Sequence, residues 1–367
     1  MSNRPGFGHV SVAPCIAFDF TRFDEVWFDE VHQHFVLFAK APRGVLHTLP
    51  LPGSSGAGST LKLSPAIAHE YARVVALKIS VDGKFYAAQL SNMVVEVVDI
   101  ETGDVFNVSC RKQSSGNRMH KGGIVWCEGA GGAQTLILVT ELGLEIYRVS
   151  AKDAPAAARG ALAFLRGAPS RCKHVRSMRT ARVARFWSFP IVHGAPRSGL
   201  LLFVATEGGE NSYSMRPYLL RSTERGAPGA LLKLPSFSVP SRAVQRPPAL
   251  YGDAQAPRTV RGSAFGSEAP CALRVATLYQ RLYCLWTHPG GATVSLFALT
   301  RENAVLMREL TVPGSGALDI QLLDDLLVVH RPLSKLTLLY DVRAKGRGRQ
   351  KQVSDVPLHF TRIVLTI

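Results

Sequence analysis

"VDGKFYAAQLSNMVVEVVDIETGDV", Val81 to Val105, decides the fold. Its two apolar runs, "KFYAAQL" and "MVVEVVDI", are short and rich in β-branched and aromatic residues. Ser91-Asn92 joins them and an Asp-containing turn closes the second, which is the pattern of paired strands. One pair does not make a fold, but this pair recurs. "GIVWCEGAGGAQTLILVTELGLEIYRV" (Gly123 to Val149), "CALRVATLYQRLYCLWTHPGGATVSLFAL" (Cys271 to Leu299) and "GALDIQLLDDLLVVHRPLSKLTLLYDV" (Gly316 to Val342) repeat strand, turn, strand, turn, strand. Their closing segments are "EVVDIETG", "EIYRVSA", "LFALTREN" and "LLYDVRAKG". An interval of about forty to fifty residues is the length of one four-stranded propeller blade.

Val81 to Val105 therefore reads as the latter half of a blade. "VVDIETG" approximates the Trp-Asp ending of WD-type repeats, with Val98 where the Trp would stand. The sequence predicts an all-β chain: a degenerate WD40-like β-propeller of six or seven blades. Radial closure also solves the problem of many open strand edges. The terminal "VPLHFTRIVLTI" is expected to pair near "APCIAFDFTRF" and close the ring. A single domain over 1–367 follows, with loop insertions expected at 151–176 and 225–269. "ALAFL" and "LLKLPSFSV" within or beside them read as strands. Arg176, Arg179, Arg182 and Arg185 recur every third residue, a spacing that aligns charges along a helical turn, although strand-like "VARFWSFPI" overlaps its end.

Composition sets the function classes. The chain has 367 residues, 46% of them hydrophobic, and carries a net charge of +16, which favours anionic partners. No run reaches the roughly 20 apolar residues of a spanning helix. "MSNRPGFGHVSVAPC" shows neither a secretory nor an import pattern, so a cytosolic address is expected. Six scattered cysteines (Cys15, Cys110, Cys127, Cys172, Cys271, Cys284) read as buried thiols rather than a zinc site.

Catalytic signatures are weak. "GSSGAGS" at Gly53 and "GSG" at Gly314 are loop sequences, and "EGAGGAQT" at Glu128 has the glycines of a phosphate loop but no Lys. His32 and His34 share a face of a hairpin without an evident third ligand. Asp82-Gly83 and Asp324-Asp325 suit tight turns, and Trp126, Trp187 and Trp286 suit packing between blades. No catalytic, cofactor or metal residues are assigned. The sharpest charge run is "RAKGRGRQK", whose Arg343, Lys345, Arg347, Arg349 and Lys351 are candidates for contact with an anionic surface such as lipid headgroups. Without interleaved aromatics, nucleic acid is not the expected partner of this run.

The collinear series "VWFDEVHQHFVLF", "VVALKISVDGKFYAAQLSNMVVEVVDI", "GIVWC" with "LILVTELGLEIYRV", "ATLYQRLYCLW", "LDDLLVVH" and "LLYDV" resembles the N-terminal propeller of the regulator subunit of the Mon/Ccz guanine-nucleotide exchange complex, the Bulli or Mic family. No single motif carries this; the order does. The resemblance implies a non-catalytic scaffold that binds the Mon and Ccz homologues. It would support activation of the late-endosomal Rab GTPase in endosome maturation, lysosomal fusion and autophagy. It implies a cytoplasmic protein held peripherally on late endosomes and lysosomes. Members continue into a C-terminal helical domain, absent from this chain, which is then either incomplete or a form that has lost that half. Two other classes compete: a propeller hydrolase or lactonase with a central-channel site, and a basic WD-like adaptor for RNA.

Overall fold

Successive residues of a strand point to opposite faces of its sheet, and in the strand Gln134–Thr140 all of them are buried. Leu136 and Leu138 pack with Phe85, Val95 and Val97 of the preceding sheet. Ile137 and Val139 pack with Leu200, Leu202 and Val204 of the following one. This sheet is covered on both sides, which explains why its strand reads as an unbroken apolar run rather than an alternating one.

The structure, a computed structural model, describes residues 25–29, 32, 34–39, 45–50, 59–61, 74–110, 117–129, 133–150, 172–191, 199–209, 212–221, 230–241, 261–262, 273–288, 291, 293–313, 318–331 and 336–343. Six sheets are formed by these residues. The first holds β1 (Glu25–Asp29), β2 (His34–Ala39), β3 (Val45–Pro50) and β4 (Ser59–Leu61). The second holds β5 (Ala76–Ile79), β6 (Phe85–Gln89), β7 (Val94–Asp99) and β8 (Val105–Ser109). The third holds β9 (Met119–Glu128), β10 (Gln134–Thr140), β11 (Gly143–Val149) and β12 (Cys172–Arg179). In the fourth, β13 (Val183–Ile191), β14 (Gly199–Glu207), β15 (Ser212–Arg221) and β16 (Ala230–Lys233) run in order, and β17 (Phe237–Pro240) also pairs with β15. The two-residue β18 (Arg261–Gly262) joins β1 of the first sheet in parallel. The fifth sheet holds β19 (Leu273–Leu278), β20 (Arg281–Thr287), β21 (Thr293–Leu299) and β22 (Ala304–Thr311). The sixth holds β23 (Asp319–Leu323), β24 (Leu326–Arg331) and β25 (Leu336–Asp341).

Apart from β17 and the parallel β18, the strands of each sheet form an antiparallel meander, and five hydrophobic clusters fill the spaces between consecutive sheets. Val36 and Phe38 meet Leu77 and Tyr86 between the first and second. Trp187 and Phe203 meet Cys284 and Trp286 between the fourth and fifth. Leu278 and Leu296 meet Ile320, Leu327 and Val329 between the fifth and sixth. A sandwich has one interface shared by two sheets. Here each interior sheet packs against both its predecessor and its successor, which is the β-propeller architecture.

Trp126, Trp187 and Trp286 sit where inter-blade packing requires them. Trp187 and Trp286 meet edge to face at 6.0 Å across two sheets, and the Trp126 indole donates to the Lys78 carbonyl at 3.1 Å. The Asp at the end of the third strand acts as a turn cap. Buried Asp99 accepts from the amides of Glu101 and Thr102, both at 3.1 Å, and Thr300 takes the same role with the amide of Asn303 at 3.0 Å.

Several expectations are corrected. The opening stretch is not the latter half of its blade: it spans β6 and β7, the central pair, and reaches only the first residue of β8. Cys172–Arg176, placed by the sequence in the first insertion, begins β12, the outer strand of the third sheet. Arg176 and Arg179 lie on that strand rather than a helical turn, because Cys172–Arg179 finds a ready edge in β11. The second expected insertion contributes β16, β17 and β18, and "LLKLPSFSV" supplies the first two. "ALAFL" and the expected closing pair of the ring lie outside the described residues.

Candidate interaction surface

Of the basic run expected to meet an anionic surface, Arg343 lies among the described residues; Lys345, Arg347, Arg349 and Lys351 lie outside them. Arg343 sits just past β25, at a point where two hairpin tips from neighbouring sheets lock together. The β19–β20 tip, Tyr279-Gln280, has both residues at positive φ, 49° and 61°. That is the two-residue turn whose twist suits a hairpin, in residues that bear a strain glycine would avoid. Contacts from the sixth sheet offset the strain. The Tyr279 amide donates to Asp325 Oδ1 in the β23–β24 turn, and the Tyr279 hydroxyl donates to Asp341 Oδ1 at 2.6 Å. The Arg343 amide donates to the same Asp341 oxygen at 2.8 Å, and Arg308 Nη1 donates to the Asp341 carbonyl at 3.2 Å.

The electrostatics follow from these contacts. The Tyr279 hydroxyl and then the Arg343 amide hold the Asp341 carboxyl below the usual carboxylate range. The same hydrogen bond pushes the Tyr279 phenol up. The Arg343 guanidinium carbon lies 3.9 Å from the Tyr279 ring centroid, a cation–π contact. Arg343 is thus held on the turn side at the seam of the fifth and sixth sheets. Asp325, read from sequence as a turn former, also bridges two sheets.

Other polar groups were less legible. His288 Nε2 lies 2.7 Å from Ser295 Oγ, which donates to Glu309 Oε1 at 3.0 Å. The trio has the residue types of a hydrolase triad but not its geometry. Base and carboxylate converge on one hydroxyl, whereas a triad needs the carboxylate on the far imidazole nitrogen. Ser295 is also 2% exposed. The trio lies within the fifth sheet, where Ser295 stands opposite Glu309 on the neighbouring strand, a register that the sequence does not spell out. His32 Nε2 lies 3.2 Å from the Val81 carbonyl and its ring stacks on His34 at 5.3 Å, so this pair ties the first sheet to the second. Among the described residues no three His, Cys, Asp or Glu side chains gather as a metal site.

Inter-sheet polar clamps recur. Gln89 donates to the His120 carbonyl and accepts from the Gly122 amide, at 3.1 and 2.8 Å, while His120 Nε2 reaches the Val183 carbonyl at 3.1 Å. Within the third sheet, Asn117 and the Tyr147 hydroxyl both donate to buried Glu145, at 3.3 and 3.0 Å. Buried Arg331 donates to the Gly291 carbonyl at 2.8 Å, joining sixth sheet to fifth. Burial pushes the Cys110 and Cys127 thiols up to about 12 and Cys172 to about 11. They stay protonated at neutral pH and make poor nucleophiles. Hydrogen-bonded seams thus join the sheets, and charged turns and edge strands lie outside them.

Residues 53–154 match the family model described as "Regulator of MON1-CCZ1 complex, N-terminal". That span contains both "VVALKISVDGKFYAAQLSNMVVEVVDI" and "LILVTELGLEIYRV", and covers β4 of the first sheet, the second sheet and the first three strands of the third. Over 302 residues the chain is 22% identical to the "Regulator of MON1-CCZ1 complex homolog" of Dictyostelium discoideum, covering 81% of this chain and 24% of that relative. The chain is thus similar to this regulator and spans about a quarter of the relative's length. Among solved structures, the Dos1 propeller superposes with a TM-score of 0.44 at 11% identity, over 88% of this chain and 68% of that one. The WD40 domain of SCAP from fission yeast gives 0.40 at 9%, over 87% and 62%. Kluyveromyces lactis Hsv2 gives 0.40 at 9%, over 88% and 75%. At these scores the likenesses add nothing to what the sheets themselves show.

Proposed function

We propose that this chain is the propeller of a non-catalytic regulatory subunit of the MON1-CCZ1 complex. In that role it holds the catalytic partners in position on the membrane while they exchange nucleotide on the late-endosomal Rab GTPase, in endosome maturation, lysosomal fusion and autophagy. Its place is the cytoplasmic side of late endosomes and lysosomes, attached peripherally. The observation that carries the reading is the family match over residues 53–154, which takes in the whole second sheet and strands of the sheets on either side of it. The contact chemistry of the surface suits it: the buried thiols are protonated, and the His288–Ser295–Glu309 trio offers no accessible nucleophile.

The test is affinity purification of the tagged chain from cells of its own source at moderate salt, with mass spectrometry of the bound proteins. MON1 and CCZ1 homologues should be retained together, and the purified chain alone should not speed nucleotide release from the Rab. Preparations that retain neither partner, or a chain that catalyses exchange unaided, would remove the proposal.

A further inference from the structure

Radial arrangement widens the gap between neighbouring sheets toward their outer strands. At the seam of the third and fourth sheets that outer gap is lined by one sign of charge. In β11, Leu144 and Ile146 pack toward the fourth sheet, so alternation turns Arg148 the same way. On β12, Lys173 stands opposite Arg148 and Arg176 opposite Ile146, on the same face. From the other wall, Tyr218 and Leu220 pack toward the third sheet. Arg216 lies two residues from Tyr218, and Lys233 stands opposite Tyr218 on β16. Arg148, Lys173, Arg176 and Lys233 are exposed and Arg216 half-buried. Among the described residues, no Asp or Glu occupies a strand position facing this outer gap.

Facing rows of like charge repel, and the repulsion is relieved by an anion between them. The spacing says which kind. Lys173 stands opposite Arg148 and Arg176 opposite Ile146, two steps along β11 across a bulge in β12, a separation of about 7 Å. Lys233 and Arg216 are offset on their wall by the same two steps. An extended chain repeats its side chains on one face every second residue, at about the same distance. A single phosphate would instead need cations converging on one point. We propose that the outer seam between the third and fourth sheets binds an extended acidic peptide with carboxylates at alternate residues, held between Lys173 and Arg176 on one wall and Arg216 and Lys233 on the other. The site does not depend on the identity of the complex, and a recessed seam suits a peptide better than a flat lipid surface.

The test is fluorescence anisotropy of the full chain with a labelled peptide of alternating Glu and Val. Its Gln-Val counterpart and vesicles containing phosphatidylserine serve as the other arms. The Glu peptide should bind and the Gln peptide should not, with binding falling as salt rises. Lys173→Glu/Arg176→Glu should weaken it by about tenfold or more, as should Lys233→Glu from the opposite wall. Lys84→Glu, on a distant turn, should change nothing, and unchanged thermal melting of each variant shows that the fold survives. Equal binding of the Gln peptide, or full binding by both seam variants, would overturn the proposal. So would vesicles that bind through these residues while the peptide does not.

Discussion

Leu136 and Ile137 are neighbours in β10, both 0% exposed, yet they serve different interfaces. Leu136→Ala should open a cavity between the second and third sheets, and Ile137→Ala one between the third and fourth. Each change deletes three carbons, about 2.4 kcal/mol of lost burial at about 0.8 kcal/mol per group. Incomplete collapse of the surroundings adds a cavity term, for totals of about 3 kcal/mol within the usual 2–5 range. The assay is equilibrium urea unfolding at neutral pH followed by tryptophan fluorescence. With a denaturant slope of about 3 kcal/mol/M, each midpoint should fall by about 1 M. In a sheet with one wet face the two would differ sharply, one change being nearly neutral. If either variant stays within about 0.5 kcal/mol of the parent, the inference that both faces of this sheet are packed is wrong.

At Gly143, φ is +141° and an added Cβ would stand 1.9 Å from the Met178 carbonyl oxygen. Gly143→Ala should therefore destabilise the chain by about 2 kcal/mol or more, with faster amide exchange in Cys172–Arg179 by mass spectrometry; unchanged exchange there would contradict it. Because the folded Asp341 carboxyl is held below its ordinary value, its contribution is present above about pH 4 and lost as pH falls through the depressed folded value. Exchange at the Tyr279-Gln280 tip should accelerate over that acidic window in the parent, whereas in Asp341→Asn it should be fast throughout and lack the acid step. His120 and His288 are held below the ordinary imidazole range by burial; their contribution is present above about pH 6.5 and lost as pH falls through the lower folded values, so mild acid should lower the melting temperature less in His288→Gln than in the parent. Iodoacetamide at pH 8 should leave Cys110, Cys127 and Cys284 unlabelled in the native chain and label all three in urea, as read by peptide mapping.

The strands were legible because their residues declare them. "FYAAQ", "VVEVVD", "QTLILVT" and "TVSLFAL" are short, apolar and punctuated by Gly, Asp, Ser and Asn, and each is a strand. β12 was hidden because "CKHVRSMR" is an outer strand with a wet face, so its charges mask the alternation that a buried strand shows. The blade boundary slipped by one strand because β5, "ALKI", is as short as the runs between which it stands. In the candidate surface, Arg343 was visible as part of a basic run, but its stacking on Tyr279, 64 positions earlier, has no local signal.

By itself the sequence determined that the chain is all-β and built from recurring meanders, because side-chain period and turn chemistry are local properties that each segment carries alone. Tertiary structure decided which residues share a seam: the lock of Tyr279 with Asp325 and Asp341, and the facing cations between the third and fourth sheets. Those pairings depend on how one sheet is set against the next, a relation between residues far apart in the chain that no short stretch of it encodes.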